Sequence, residues 1–198
     1  MNVLKDQQIV LIRHGRPAGA KAAPISGREV GRWVTHYNGL GIDRQCPPPL
    51  ALSRLVASAG FVTASHLRRA RESAEWLRSP APLHVDSELR EAVLPNSLPL
   101  SLRMHPGIWV VLARIGWWLD WCASEEPVGP TRQRAARMAD QLCALAREHG
   151  SIVVVGHGMF NRFLARELVA RGWRGPARMP GAHWSAAHFV PSQVPPDI

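Results

Sequence analysis

Two short runs, Ile9 to Ile12 and Ile152 to Val155, are apolar at every position. A strand with one solvated face alternates polar and apolar residues, so a run with no polar position belongs to a sheet covered on both sides. Phe61 to Ala64 and a short Leu83 to Val85 read as two further strands. Helical patterns lie between them, and strands alternating with helices make an α/β chain with a largely parallel sheet. The expected fold class is therefore three-layer α/β/α. At 198 residues and 46% hydrophobic, the chain suits one well-cored domain over residues 1–198.

The helices announce their ends. Ser26-Gly27-Arg28-Glu29 fits a capping box, and Val30, Trp33 and Val34 supply the apolar stripe of a helix that stops near Asn38-Gly39. A second helix is expected from about Leu67 to Leu77, with Arg68 and Glu72 spaced as an ion pair one turn apart. A third begins near Thr131, carries Met138, Leu142 and Leu145, and stops at Gly150. A fourth follows His157 and stops at Gly172. The Pro-rich stretches from Cys46 to Leu50 and from Pro191 to Ile198 read as a surface loop and a tail.

Parallel strands finish along one edge of a sheet, and ligands sit in the crevice outside those carboxyl ends. The first strand is followed by Arg13-His14-Gly15 and the second by Ser65-His66-Leu67-Arg68-Arg69-Ala70. The third leads to Glu88-Leu89-Arg90-Glu91, and the fourth to Gly156-His157-Gly158. A neutral imidazole is a good nucleophile toward phosphorus. Arginines hold a phosphoryl group through forked, charge-assisted bonds, and a carboxylic acid can protonate the departing alkoxide. A helix starting at Gly158 would add amides aimed at an anion. This inventory suits phosphoryl transfer through a phosphohistidine.

On these residues the chain resembles the histidine phosphatase superfamily, which includes phosphoglycerate mutases and many phosphomonoesterases. "LIRHG" looks like the family's nucleophile motif, which implies His14 as nucleophile and Arg13 as a phosphate ligand. "SHLRRA" is similar to its S-x-L-x-R-A pattern and carries the second phosphate arginine onto Arg69, with Arg68 the rival. "VVVGHGMFNR" resembles the second-histidine motif, so His157 completes the phosphate pocket, and "ELREAVLP" points to Glu91 as proton donor, with Glu88 and Asp86 as competitors. The resemblance implies a phosphoglycerate mutase-like fold and a phosphatase that needs neither metal nor cofactor. Arg16 and Ser26 are the candidate substrate contacts, Ser26-Gly27 standing where mutases place a substrate loop. Where mutases continue the motif with acidic or serine-containing residues and an asparagine, this chain reads Arg16-Pro17-Ala18-Gly19-Ala20. Mutase activity is therefore not expected. His66 in place of the usual aspartate and Met159 after the second His-Gly also change the rim.

The formal charge of +9 raises the question of nucleic acid, but the 24 basic residues, all Arg except Lys5 and Lys21, are scattered and no binding motif accompanies them. No nucleic-acid partner is expected. Cys46, Cys122 and Cys143 fit neither a disulfide framework nor a CxxC pair, no run is long enough for a membrane span, and no export signal is seen. These point to the cytoplasm. The histidines outside the two motifs show no metal-ligand spacing, so no metal site is expected.

One stretch lies outside the motifs. Pro106 to Trp121, within a Trp-rich insertion around 96–130, holds four of the eight tryptophans. It reads as buried packing, as a lid with Trp109 facing the substrate, or as a contact with a second copy or a membrane surface. The partners expected are thus a small phosphorylated substrate and, as an option, a homodimer mate. An inactive phosphate-binding module of the same fold is the rival to catalysis.

Overall fold

The computed structural model describes residues 7–19, 23–95, 98, 100–121 and 124–192. Lys5, Ala20, Lys21, Cys122 and the tail from 193 lie outside the described residues.

The six-stranded sheet has the order β4-β3-β6-β1-β8-β7, with β1 at Gln8–Arg13, β3 at Phe61–Ser65, β4 at Leu83–Asp86, β6 at Ser151–Gly156, β7 at Trp173–Arg174 and β8 at Ala186–Pro191. The first four in this order run parallel, and β8 and β7 close the other edge antiparallel. A separate pair, β2 (Ile25–Ser26) with β5 (Arg103–Met104), lies outside the main sheet.

The apolar runs are apolar because side chains alternate across a strand and both faces are buried. Ile9, Leu11, Ile152 and Val154 join Leu142, Phe160, Leu164 and Phe189 in the core beneath α5 (Val128–His149) and α6 (Gly158–Ala170). Val10, Ile12, Val153 and Val155 face the opposite layer, where Leu52, Val56 and Leu77 come from α2 (Leu50–Ala57) and α3 (Arg68–Leu77). The sheet is therefore mixed, mostly parallel, and covered on both faces by six α-helices, the other two being α1 (Val30–Gly39) and α4 (Pro106–Trp118).

All four strands read from the sequence form, each extended by a residue or two. The helix expected from Thr131 starts at Val128, and α2 forms directly after the Pro-rich loop, where no helix was anticipated. Strand β8 was also missed. Its Ala187 and Phe189 are buried while His188 and Val190 are exposed, a weak alternation cut short by Pro191.

The Trp-rich stretch divides its loyalties. Trp109 does not face substrate: it is fully buried with Val30, Leu98 and Ala113, and its indole N–H donates to the Ile25 carbonyl at 2.8 Å. Trp117 is buried too, while Ile108, Val111, Leu112, Ile115 and Leu119 are exposed. No helix among the described residues is long and apolar enough to cross a membrane.

Candidate active site

The ends of β1, β3 and β6 bring His14, Ser65 and His157 to one place. The two His-Gly turns are tied together, since the His14 amide donates to the Gly156 carbonyl at 3.0 Å. Close packing explains the glycine after His14: a Cβ on Gly15 would lie 2.4 Å from the Trp184 ring. At Gly156 a Cβ would stand 2.6 Å from the Asn161 amide oxygen, and that amide's nitrogen donates to the Ile12 carbonyl at 3.2 Å.

His14 is 3% exposed, and its Nδ1 lies 2.7 Å from the Gly15 carbonyl. A carbonyl only accepts, which assigns the proton to Nδ1 and leaves Nε2 unprotonated. Nε2 accepts from Arg69 Nε at 3.2 Å. Burial, then the neighbouring His157, Arg69 and Arg13, hold the His14 pKa well below the ordinary imidazole value, so the neutral form prevails at pH 7.

His157 is fully buried, and its ring centroid lies 5.1 Å from that of His14. Its Nε2 lies 2.9 Å from the Ser65 hydroxyl, which also accepts from the Leu67 amide. The hydroxyl has its own proton to give, and with that proton donated to Nε2 the imidazole N–H is at Nδ1. That Nδ1 is buried and unpartnered, as is Arg13 Nε. Burial and then Arg69 push the His157 pKa well below its ordinary value.

The arginine choice is resolved by position. Arg69 is 2% exposed, with Nη1 donating to Tyr37 O and to Asn38 Oδ1 and its guanidinium 4.9 Å from the Tyr37 ring centroid. Arg68 is exposed and paired with Glu72.

Glu91 reaches the cavity wall, while Glu88 is turned outward to Arg90 and Arg137. Glu91 accepts from the amides of Ala92, Met159 and Phe160 at 3.0, 3.2 and 2.8 Å. The amides at the start of α6 are thus not free for an external anion: two are taken by this carboxylate, which suits the positive end of the helix. Buried Arg134 donates to the carbonyls of Glu88 and Arg90, and Arg114 to those of Ala92 and Val93, so the segment is gripped on both sides of Glu91.

Two other expectations are not met by the cavity. Arg16 is exposed and absent from its lining, and Ser26 is occupied as a cap, its amide and hydroxyl both donating to Glu29 at 2.8 Å.

The cavity has a volume of about 610 Å³. Arg13, His14, Arg69 and Glu91 form one end, and Trp33, Val34, Tyr37, Leu94 and Val110 give an apolar wall. Trp33 and Tyr37 stack with centroids 5.1 Å apart. Trp33 was legible as part of a helix stripe, but nothing in the sequence said that the stripe faced a cavity. Ser65 was legible as a strand end and as the first position of the S-x-L-x-R-A pattern, with no role attached to it. Among the described residues no three His, Cys, Asp or Glu side chains cluster so as to hold a metal ion.

Residues 9–193 match the model of the histidine phosphatase superfamily, branch 1. No curated protein sequence matches. Among solved structures, mycobacterial hydrolase 1 superposes with a TM-score of 0.60 at 20% identity, over 92% of this chain and 90% of that one. Phosphoserine phosphatase from Entamoeba histolytica, solved with 3-phosphoglyceric acid, gives 0.58 at 14% identity, over 94% and 98%. Mycobacterial glucosyl-3-phosphoglycerate phosphatase gives 0.55 at 20% identity, over 83% and 80%. At these identities the likeness is one of fold, and the family match over residues 9–193 supplies the rest: the chain belongs to branch 1 of the histidine phosphatase superfamily.

Proposed function

We propose that this protein is a metal-independent phosphomonoesterase that works through a phosphohistidine on His14 and does not act as a mutase. One observation carries the reading: His14 is held neutral, with its Nε2 lone pair against the buried Arg69 guanidinium and with unpartnered donors on Arg13 and His157 beside it.

In the first step Nε2 attacks phosphorus and the bond to the ester oxygen breaks. Arg13, Arg69 and His157 oppose the charge on the equatorial oxygens. Glu91 gives its proton to the departing alkoxide, through Oε2, the oxygen held by the longer bond to Met159. In the second step water attacks the phosphohistidine, Glu91 takes a proton from it, and inorganic phosphate leaves. The positive charge that a metal brings in other phosphatases is supplied here by guanidinium groups. The free Cys46 and Cys143 accord with a cytoplasmic setting.

For substrate, the neighbours' names give phosphoserine and glucosyl-3-phosphoglycerate as the compounds those proteins dephosphorylate. In this chain the wall of Trp33, Val34, Leu94 and Val110 favours a phosphate ester with an apolar or aromatic portion. The test is a hydrolysis screen over aryl, alkyl, sugar and amino-acid phosphates with EDTA present throughout. Hydrolysis, an acid-labile and alkali-stable phosphoryl adduct on the parent protein, and loss of both in His14→Ala are expected. Undiminished hydrolysis by His14→Ala would remove the nucleophile, and phosphate binding without turnover by the parent would favour the inactive module.

A further inference from the structure

A third histidine stands beside His14. His183 belongs to the loop between β7 and β8, and its ring centroid lies 5.5 Å from that of His14 with the planes tilted by 45°. The loop is fastened to the end of β1 at several points. The Trp184 amide donates to the Arg13 carbonyl at 3.1 Å, the Trp184 indole lies against Gly15 and donates to the Cys46 carbonyl at 2.9 Å, and Arg13 Nη1 donates to the Gly181 carbonyl. Trp184 takes a left-handed φ of 61°, a strained setting for a bulky residue that its buried ring contacts hold in place. The imidazole one residue earlier is thereby fixed in direction.

His183 Nε2 is buried and has no hydrogen-bond partner. Leaving such a group unmet costs free energy, so each instance asks for an explanation. Among the described residues the buried side-chain polar atoms in this condition are Arg13 Nε, His157 Nδ1, His183 Nε2 and Asn161 Oδ1. The first three adjoin His14. Burial, then Arg13, Arg16 and Arg69, push the His183 pKa down to about 4, which leaves a neutral ring with one N–H to give.

We propose that His183 is a further phosphoryl-binding residue, its Nε2–H donating to a non-bridging oxygen of the phosphoryl group carried by His14. A neutral donor adds a hydrogen bond to the group in transfer without adding charge to a site already crowded with Arg13 and Arg69. The inference rests on the phosphohistidine reading and goes beyond it, because it assigns a role to a residue from outside the strand-end motifs.

The test reads binding rather than turnover. Inorganic phosphate and orthovanadate are titrated into the parent protein, His183→Ala and His183→Asn by calorimetry, and the His183 ring nitrogens of the parent are followed by NMR. The expected result is about tenfold weaker binding in His183→Ala, partial recovery with the amide donor of His183→Asn, and a shift of the His183 Nε2 resonance on adding phosphate. Binding within twofold of the parent together with an unmoved resonance would overturn the assignment while leaving His14 in its role. Failure of the parent to bind either anion would overturn both readings. Should His183→Ala not fold, the parent resonance decides alone.

Discussion

Arg69 and Arg134 are buried to almost the same degree, at 2% and 1% exposure, and the structure surrounds them differently. Arg134 meets Glu126 in a forked pair, Nε to Oε1 at 2.7 Å and Nη2 to Oε2 at 2.8 Å, and spends Nη1 on main-chain carbonyls. Its guanidinium also lies 3.9 Å from the Phe160 ring centroid. Arg69 has an imidazole, a carbonyl and an amide oxygen as partners, and among the described residues no carboxylate pairs with it. A buried cation with its anion in place is complete; one without a carboxylate partner suits the phosphate-binding role proposed for Arg69. Burial alone therefore does not separate structural from functional arginines. The partner does.

The sharpest way to break this comparison is to remove both side chains in turn. Arg69→Ala should lower kcat/KM by about 10³-fold or more, because a donor to the phosphoryl oxygens is lost. Its melting temperature should stay near the parent value, since the variant also relieves an uncompensated buried charge. Arg69→Lys should recover little, because a point charge does not replace the fork. Steady-state kinetics and calorimetry check this, and a large loss of stability would return Arg69 to the structural class.

Arg134→Ala should show the reverse, destabilising the fold by about 3–5 kcal/mol in urea titration, because buried Glu126 loses both bonds of the fork and keeps its 3.2 Å pair with half-buried Arg90. Replacing the pair together, Arg134→Met with Glu126→Leu, should cost much less. An Arg134→Ala protein of unchanged stability would mean that Arg134 is not what holds Glu126 and the Glu88–Arg90 segment.

The smallest effect sharpens the comparison on the histidine side. His14 and His157 are held well below the ordinary imidazole value, and His183 is pushed down to about 4. Between those folded values and about 6.5 the unfolded chain binds more protons than the folded one, so stability is complete above pH 6.5 and falls as the pH drops. Each histidine contributes a slope of up to about 1.4 kcal/mol per pH unit in that window. Urea titrations from pH 7.5 to 5 should show the fall, above the range where the carboxylates titrate. His157→Asn should lower the slope by about one proton, and bound orthovanadate should flatten it. A midpoint independent of pH would contradict the neutral assignment of these rings.

Much of the sheet was legible, because Ile9 to Ile12 and Ile152 to Val155 state their burial outright. The residues just after those strands were legible too, since a parallel sheet delivers its carboxyl ends to one edge. What escaped was set by contacts between segments far apart in the chain. Trp109 was readable as packing or as a lid residue because a tryptophan's type does not say which way its helix turns; the docking of α4 on Val30 and Leu98 decided for packing. Trp33 was read as part of a helix's apolar stripe and proved to be cavity wall. His183 carries no local signal, and it acquires its place from a loop that meets His14 in space. Ser26 was readable both as a cap and as a substrate contact, and Glu29 claimed it.

The strand that presents His14 lies in the interior of the sheet, with β6 on one side and β8 on the other. The hydrogen bonds that fix Arg13 and His14 come from Gly156, Trp184 and Ser185, so the setting of the proposed nucleophile is closed by segments far from it in sequence. A variant cut before residue 184 should keep the imidazole and lose part of that setting, and on the proposed reading it should be silent toward phosphate esters.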